Sequence, residues 1–178
     1  MKTPRHAFRL NLGFFLPQSI GYYHEFPFEF DEIELAEDFS LRHFDGTVTV
    51  SRTPQGLLAQ GVFEGNLELE CVRCLKPYDH RLHWEITELY IFDREKIAGE
   101  EEQLLLPENA QIDIEDFVRE EALLDLPINP ICKEDCEGLC QVCGADLNLG
   151  DCGHEELPEE EPDEDELDSP FAGLKDLL

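Results

Sequence analysis

The sequence predicts an α+β fold with an antiparallel β-sheet, one main helix and a cysteine-rich segment on the C-terminal side. Three observations support this prediction: alternating polar and apolar residues between about 46 and 92, one helical pattern at 114–126, and five cysteines between 130 and 154. The chain has 178 residues. We therefore expect one core domain with a small appendage, not two large domains.

The strand pattern is weak at first and becomes clear at residue 46. Before that point only the alternation around Phe26, Phe28 and Phe30 is strand-like. The stretch TVTVSR, the turn TPQG and the stretch LLAQGVF then predict a β-hairpin. Pro54 and Gly56 occupy the positions that these residues favour in a type I turn.

Two further strands are predicted on either side of the first cysteine pair. In NLELECVRC the leucines alternate with glutamates, so the strand has one buried face and delivers Cys71 at its end. The stretch HRLHWEITELYIF places Leu82, Trp84 and Ile86 on one face with period two. We expect these two strands to pair in an antiparallel manner.

A solvated loop and then a helix are predicted next. Residues 93–109 are polar, with consecutive glutamates after Gly99. Asp113 can cap a helix that runs from Ile114 to about Leu126, and Pro127 stops it. The predicted core face of the helix consists of Ile114, Phe117, Val118 and Leu124.

Cysteines and one histidine form four pairs or near-pairs along the chain. Zinc binds four sulfur or imidazole ligands in a tetrahedron, and two cysteines separated by a few residues can reach one ion from a tight turn. Eight candidate ligands therefore predict two structural zinc ions. The candidate ligands are Cys71, Cys74, Cys132, Cys136, Cys140, Cys143, Cys152 and His154.

The predicted partition joins Cys140 and Cys143 to Cys152 and His154, and joins the remaining four cysteines in a second site. A single zinc site formed by the two CxxC pairs, with the other cysteines spare, stays open, as does a chain without metal. Gly144 and Gly153 favour local closure, because turns that point two thiolates at one ion commonly need a positive φ. Arg73 is interpreted as a solvated turn residue that partly balances nearby thiolates. His80 and His83 are interpreted as strand-surface residues.

The chain divides into four segments on this reading. A core domain covers 1–129 and the zinc-binding segment covers 130–154. Ten acids among the fourteen residues of 155–168 predict an acidic disordered linker. Residues 169–178 predict a short amphipathic segment that could dock as a helix.

Thiolate-rich tetrads with no HExxH motif favour closed structural sites, so we do not expect an enzyme. Thiol–disulfide exchange is the enzymatic alternative, but its CxxC usually stands at a helix N-terminus, whereas Cys71 ends a strand. An odd count of seven cysteines at short spacings indicates a reducing compartment, hence the cytoplasm. No stretch approaches the ~20 apolar residues of a membrane helix.

The charge is strongly negative, with 42 acidic and 13 basic side chains and a formal net charge of −29. Such an excess repels nucleic-acid phosphates and favours a basic protein partner, although it could also serve solubility alone. Direct RNA binding by zinc modules is the alternative. It would need a basic or aromatic patch, and none is present around Cys140.

Three stretches together resemble the YceD-like family of large ribosomal RNA subunit accumulation proteins. They are GTVTVSRTPQGLLAQGVFEGNLELECVRCLKPY, LPINPICKEDCEGLCQVCGADLNLGDCGH and the terminal DSPFAGLKDL. The resemblance implies a non-enzymatic bacterial or plastid protein needed for 23S ribosomal RNA accumulation and large-subunit biogenesis. Together with the charge of −29, the resemblance leads us to expect a basic ribosomal protein or an assembly factor as partner, engaged by the acidic segment at 155–168. His154 stands where the family pattern leads us to expect a cysteine.

Overall fold

The structure is a computed structural model that describes residues 7–36, 39–93 and 104–154. Long strands dominate this part of the chain. Its elements, in chain order, are β1 (Arg9–Asn11), a 3-10 turn (Gly13–Phe15), β2 (Tyr23–Ala36), β3 (Phe39–Arg52), β4 (Gly56–Glu70), β5 (Pro77–Ile91), β6 (Leu104–Leu105), β7 (Gln111–Asp113), α1 (Glu115–Leu124) and a second 3-10 turn (Leu147–Leu149).

The described strands form a five-stranded sheet in the order β2-β3-β4-β5-β6 and a small sheet of β1 and β7. Strands β2 to β5 make an antiparallel meander, and β6 runs parallel to β5. The antiparallel pairing of β4 with β5 agrees with the prediction. The β1–β7 pair joins Leu10 to Ile112 across the fold, and nothing in the sequence pattern predicted it.

The predicted hairpin is present between β3 and β4. The Thr53 backbone N–H donates to the Gly56 carbonyl over 2.9 Å, and the Thr53 hydroxyl accepts from the Gly56 N–H over 3.0 Å. Strand β4 then continues without interruption to Glu70, so the two strand segments predicted in LLAQGVF and NLELE are one strand. This strand ends directly before Cys71.

An aromatic cluster fills the core above β4 and β5. Phe63 is 1% exposed, and its ring centroid lies 5.7 Å from those of Phe44 and Trp84. Phe63 stands opposite Gly46 on β3 and opposite Trp84 on β5. A Cβ built on Gly46 would lie 2.2 Å from the Phe63 ring, so the glycine leaves the space that the ring occupies.

Helix α1 packs on β5 and has a narrower buried face than the sequence predicted. Ile114, Val118 and Ala122 are fully buried, and the Asp113 carboxylate accepts from the N–H of Glu115 over 3.2 Å. The assignment of Leu124 to the core was wrong, because this side chain is 78% exposed. In an α-helix Leu124 is rotated about 200° from Ala122 and so faces away from the sheet.

The α+β prediction overestimated the share of helix in the fold. The antiparallel sheet and the helix are both present, but the described fold is mostly sheet, with a helix of ten residues. The solvated loop predicted at 93–109 contains β6, and its residues 94–103 lie outside the described part of the chain. The predicted linker at 155–168 and terminal segment at 169–178 also lie outside it. No helix in the described ranges has the length and apolar character to span a membrane.

Candidate metal centres

The connection between β4 and β5 presents two cysteine side chains to the interior. Cys71 follows the last residue of β4, and its backbone N–H donates to the Lys76 carbonyl over 3.0 Å. Leu75 closes the same turn with a φ of 55°, and its N–H donates to the Cys71 carbonyl over 2.9 Å. Cys71 and Cys74 are consequently 0% and 4% exposed.

The segment after α1 brings two more cysteines to this turn. The Val72 N–H donates to the Pro130 carbonyl over 2.9 Å, and Nη1 of Arg73 donates to the Cys136 carbonyl over 2.9 Å. These bonds hold Cys132 and Cys136 against the strand end. We call the four cysteines Cys71, Cys74, Cys132 and Cys136 the sheet-end centre.

The sulfur geometry of the sheet-end centre suits a tetrahedral ion. Sγ of Cys71 lies 3.8 Å from Sγ of Cys136, and Sγ of Cys74 lies 3.7 Å from Sγ of Cys132. All four sulfurs lie within 4.8 Å of one another. Four sulfurs bound to zinc at about 2.3 Å would be about 3.8 Å apart in a regular tetrahedron. The two sulfur pairs, Cys71 with Cys136 and Cys74 with Cys132, match this separation, so the donor set suits a zinc ion.

The electrostatics of the sheet-end centre also favour a cation. Burial raises the pKa of Cys71, but backbone N–H groups of Cys74, Cys132 and Arg73 outweigh burial and lower it to about 6. Burial, followed by the neighbouring sulfurs of Cys136 and Cys74, raises the pKa of Cys132 to about 12. Ionisation of all four thiols is unfavourable without a cation, because the neighbouring thiolates repel one another. A divalent ion would offset this repulsion.

The second group of ligands closes locally within the tail. The Cys140 N–H donates to the Ala145 carbonyl and the Gly144 N–H to the Cys140 carbonyl, both over 2.8 Å. Gly144 and Gly153 have φ values of 71° and 77°, so the predicted positive φ is present at both. We call the four residues Cys140, Cys143, Cys152 and His154 the tail centre.

The tail centre is more open to solvent than the sheet-end centre. Its four ligand atoms also lie within 4.8 Å of one another, and Nδ1 of His154 is 3.4 Å from Sγ of Cys152. Cys140 is buried, whereas Cys143 and His154 are exposed. Backbone N–H groups of Cys143 and Val142 lower the pKa of Cys140 to about 7. Three sulfurs and one imidazole are again a donor set that zinc accepts.

The structure thus brings all eight sequence-predicted ligands into two sets of four. Cys140 and Cys143 lie with Cys152 and His154, not with Cys71 and Cys74 as in the single-site alternative. His80 and His83 belong to neither set. Both sets could hold a metal ion.

Sequence reasoning missed the contacts of two residues that support the sheet-end centre, and one of these residues comes from the tail. Arg73 is exposed, as expected of a turn residue, but it also binds the backbone at Cys136. Asn148 donates from Nδ2 to Sγ of Cys136 over 3.5 Å, although it lies between the tail ligands Cys143 and Cys152. The position of Arg73 inside a CxxC turn was an available clue, whereas no sequence pattern singles out Asn148.

Comparison of the sequence with known proteins identifies a family. The family model described as "Large ribosomal RNA subunit accumulation protein YceD" matches residues 59–178. An uncharacterised protein of Mycobacterium tuberculosis is 29% identical over 136 residues, which cover 75% of this chain and 61% of that protein. An uncharacterised protein of Mycobacterium leprae is 28% identical over 131 residues, covering 72% and 56% of the two chains.

A plant protein carries the family's name. The "Large ribosomal RNA subunit accumulation protein YCED homolog 1, chloroplastic" of Arabidopsis thaliana is 44% identical over 52 residues, which cover 28% of this chain and 16% of that protein. The chain spans 61% of the length of the Mycobacterium tuberculosis relative. No solved structure matches. Because the family model covers 120 of the 178 residues, the chain belongs to the YceD family of large ribosomal RNA subunit accumulation proteins.

Proposed function

We propose that this protein supports accumulation of 23S ribosomal RNA, and so large-subunit biogenesis, as a non-enzymatic binding protein whose shape depends on two structural zinc ions. Membership of the YceD family supports the role in ribosomal RNA accumulation. One observation carries the mechanism: eight sulfur and imidazole ligands stand in two compact sets of four. Four protein ligands fill a tetrahedral zinc, so neither centre keeps a position for a substrate.

Zinc in these centres would act as a cross-link. Cys71 and Cys74 belong to the end of the sheet, whereas Cys132 and Cys136 belong to the tail, so an ion in the sheet-end centre clamps one to the other. The tail centre would shape the segment 140–154 by itself. The protein's own residues then provide a fixed surface, and the ion takes part in no reaction.

The partner we propose is a basic ribosomal protein or large-subunit assembly factor. Seven thiolates and two Zn²⁺ ions sum to a charge of about −3, so loading with metal leaves the protein acidic. Strand β2 is one edge of the described five-stranded sheet, and all five of its carboxylates are exposed while it carries no Lys or Arg. This acidic edge complements a basic partner. Its exposed acids are Glu25, Glu29, Asp31, Glu32 and Glu34.

The charge distribution argues against direct RNA binding through the zinc modules. Residues 130–154 contain one Lys or Arg, Lys133, and its ammonium lies 3.6 Å from the Asp135 carboxylate. Five acidic residues share this segment. A zinc knuckle that binds RNA needs basic or stacking side chains, whereas this segment has one lysine, paired with a carboxylate, and no Phe, Tyr or Trp. Thiol exchange is disfavoured because Cys71 follows a strand instead of opening a helix.

The test uses the purified zinc-loaded chain, immobilised, and a mixture of purified large-subunit ribosomal proteins treated with ribonuclease. We expect basic proteins to be retained at low salt and released as the salt concentration rises. A variant with four neutral side chains on the β2 edge should retain much less. Its substitutions are Glu25→Gln, Glu29→Gln, Asp31→Asn and Glu32→Gln.

A matched control loses the same number of charges at exposed acids elsewhere and should bind like the unchanged protein. Its substitutions are Glu70→Gln, Glu85→Gln, Glu108→Gln and Glu134→Gln. Retention that does not depend on salt, or that is lost equally in both variants, would remove the β2 edge from the mechanism. In a parallel experiment with protein-free ribosomal RNA and no ribonuclease, retention of the RNA would replace the proposal by the RNA-binding alternative. Deletion of 155–168 tests the contribution of the acidic segment separately.

A further inference from the structure

We infer that Asn148 couples the two metal centres, so that closure of the tail centre raises the metal affinity of the sheet-end centre. Asn148 is a ligand of neither centre. It belongs to the short 3-10 turn between the tail ligands Cys143 and Cys152, yet its amide reaches the Cys136 sulfur of the other centre. The inference rests on the proposed binding of zinc at both centres.

The orientation of the Asn148 amide is fixed by three partners. Its Oδ1 accepts from the backbone N–H of Glu137 over 3.1 Å, which only an oxygen can do. Its Nδ2 therefore faces Sγ of Cys136 at 3.5 Å and Oδ1 of Asp146 at 2.8 Å, and both are acceptors. A flipped amide would place oxygen against a sulfur and a carboxylate. The N–H group consequently points at the thiolate that would bind the ion.

An N–H donor at a bound thiolate stabilises the metal-loaded state. A zinc ion with four thiolates carries a net charge of −2, and hydrogen bonds to the sulfurs spread this charge. Loss of such an outer partner typically costs about 10–100-fold in metal affinity. Arg73 donates to the backbone carbonyl of Cys136 and not to its sulfur. Among the described residues, Asn148 is the side chain that donates an N–H to the Cys136 sulfur.

The tail loop that carries Asn148 contacts the sheet-end centre at further points. The Asp146 carboxylate, whose side chain is 10% exposed, pairs with the Lys76 ammonium next to Cys74. The Leu147 N–H donates to the Gly138 carbonyl over 3.0 Å. This loop is closed at its two ends by Cys143 and Cys152. Opening the tail centre would therefore release Asn148 from the sulfur it supports, and by linkage each centre should strengthen the other by the same factor.

The experiment measures zinc affinity of the sheet-end centre by competition with a chromophoric chelator. Four proteins are compared: the unchanged chain, Asn148→Ala, the double variant Cys143→Ser with Cys152→Ser, and all three substitutions together. The double variant cannot complete the tail centre. We expect it to lower sheet-end affinity about 10–100-fold, Asn148→Ala to lower it similarly, and the triple variant to lower it no further than Asn148→Ala alone.

Two more variants separate hydrogen bonding from simple support of the loop. Asn148→Asp keeps the acceptor for Glu137 but turns an oxygen toward the Cys136 sulfur, so it should bind more weakly than Asn148→Ala. Asn109→Ala is the control, because Asn109 makes a comparable bond to the Gln111 N–H over 3.1 Å away from both centres, and its variant should keep full affinity. At full occupancy with cadmium, the cadmium-113 resonance of the four-sulfur centre should shift in Asn148→Ala.

The outcomes distinguish this inference from the proposal it rests on. An unchanged chain that binds two ions, with losses that add in the triple variant or with no loss in Asn148→Ala, overturns the coupling and leaves the zinc role intact. An unchanged chain that binds no metal overturns both. Equal affinities of Asn148→Asp and the unchanged chain would also exclude the N–H donor as the link.

Discussion

Removal of metal should unfold residues 130–154 while the sheet remains folded. The main core contains no side chain from this segment, which contributes instead to a small cluster around Cys71, Cys74 and Cys136. Ile131 and Leu139 are its only partly buried aliphatic members among the described residues, and together they contribute at most about 6 kcal/mol. A structural zinc contributes about 10–16 kcal/mol in zinc-finger peptides. A zinc ion bound as proposed would therefore be the larger stabilising term in the tail.

Hydrogen exchange followed by mass spectrometry measures this difference along the chain. The amide of Leu139 donates to the Arg73 carbonyl in the turn between β4 and β5, and those of Cys140, Gly144 and Leu147 donate to carbonyls within the tail, so all four should be protected with metal. After a strong chelator removes the ion, their exchange should accelerate at least about 1,000-fold, which corresponds to about 4 kcal/mol and is well below the contribution of one zinc. Peptides from β4 and β5 should keep most of their protection.

Two results would refute this reasoning. Tail amides that stay protected in demonstrably metal-free protein would show that side-chain packing holds the segment. Loss of protection in β4 and β5 at the same chelator concentration would show that the sheet has no independent core.

Three further predictions concern packing at Gly46, the carboxylate of Glu88 and the proposed metal ligand His154. A Cβ on Gly46 would stand 2.2 Å from Cδ1 of Phe63, so Gly46→Ala should lower the free energy of unfolding in urea by about 1–3 kcal/mol. Burial and then the charge of Glu121 raise the pKa of Glu88, so its ionised form destabilises the fold above that pKa. Glu88→Gln should thus slightly raise Tm at pH 7 and have little effect at pH 4. His154→Cys should keep two metal ions and raise the cobalt thiolate charge-transfer absorbance by about one seventh, because bound thiolates increase from seven to eight.

Matched controls accompany these three predictions. Gly13→Ala meets nothing closer than 3.4 Å and should be nearly neutral, and equal losses at Gly13 and Gly46 would contradict the crowding at Phe63. Glu85→Gln, at an exposed site on β5, should not change the pH dependence of Tm. His83→Cys should leave the cobalt spectrum unchanged. A fall in cobalt stoichiometry in His154→Cys would exclude residue 154 as a ligand.

Local periodicity was sufficient to predict the meander but not the contacts that complete it. Leu82, Trp84 and Ile86 alternate with polar residues and are buried, as their spacing indicated. Strands β1 and β7 have three residues each and pair segments about 100 positions apart, and three residues are too few to show a period. For the helix, Ala122 is buried in place of Leu124 because the close approach of α1 to the sheet selects a face, whereas side-chain size alone favoured the leucine.

The ligand sets were predictable for a different reason. Two cysteines within one turn constrain each other whatever the rest of the fold does, and the positive φ of Gly144 follows from that turn. The meeting of Cys74 with Cys132 depended on how β5 and α1 return the chain to the strand end. The sequence favoured this meeting only because the other four ligands could close locally, which left these cysteines to pair with each other. The contact from Asn148 to Cys136 also depends on this path of the chain, and no local sequence pattern indicates it.

Under the proposed zinc binding, the two centres would act on different parts of the molecule, because they would close loops of different length. Cys74 and Cys132 are 58 residues apart, and the chain between them contains β5 and α1, so a shared ion constrains most of the C-terminal half of the fold. Linking residues at that separation removes about 4 kcal/mol of conformational entropy from the unfolded chain by the loop-closure estimate. The ligands of the tail centre all lie between Cys140 and His154, and the longest stretch between two successive ligands is the eight residues from 144 to 151, so an ion there closes a shorter, local loop. Without metal the sheet should therefore remain folded, but its free energy of unfolding should be lower. The size of this decrease should depend on occupancy of the sheet-end centre. The tail centre should influence that occupancy through Asn148.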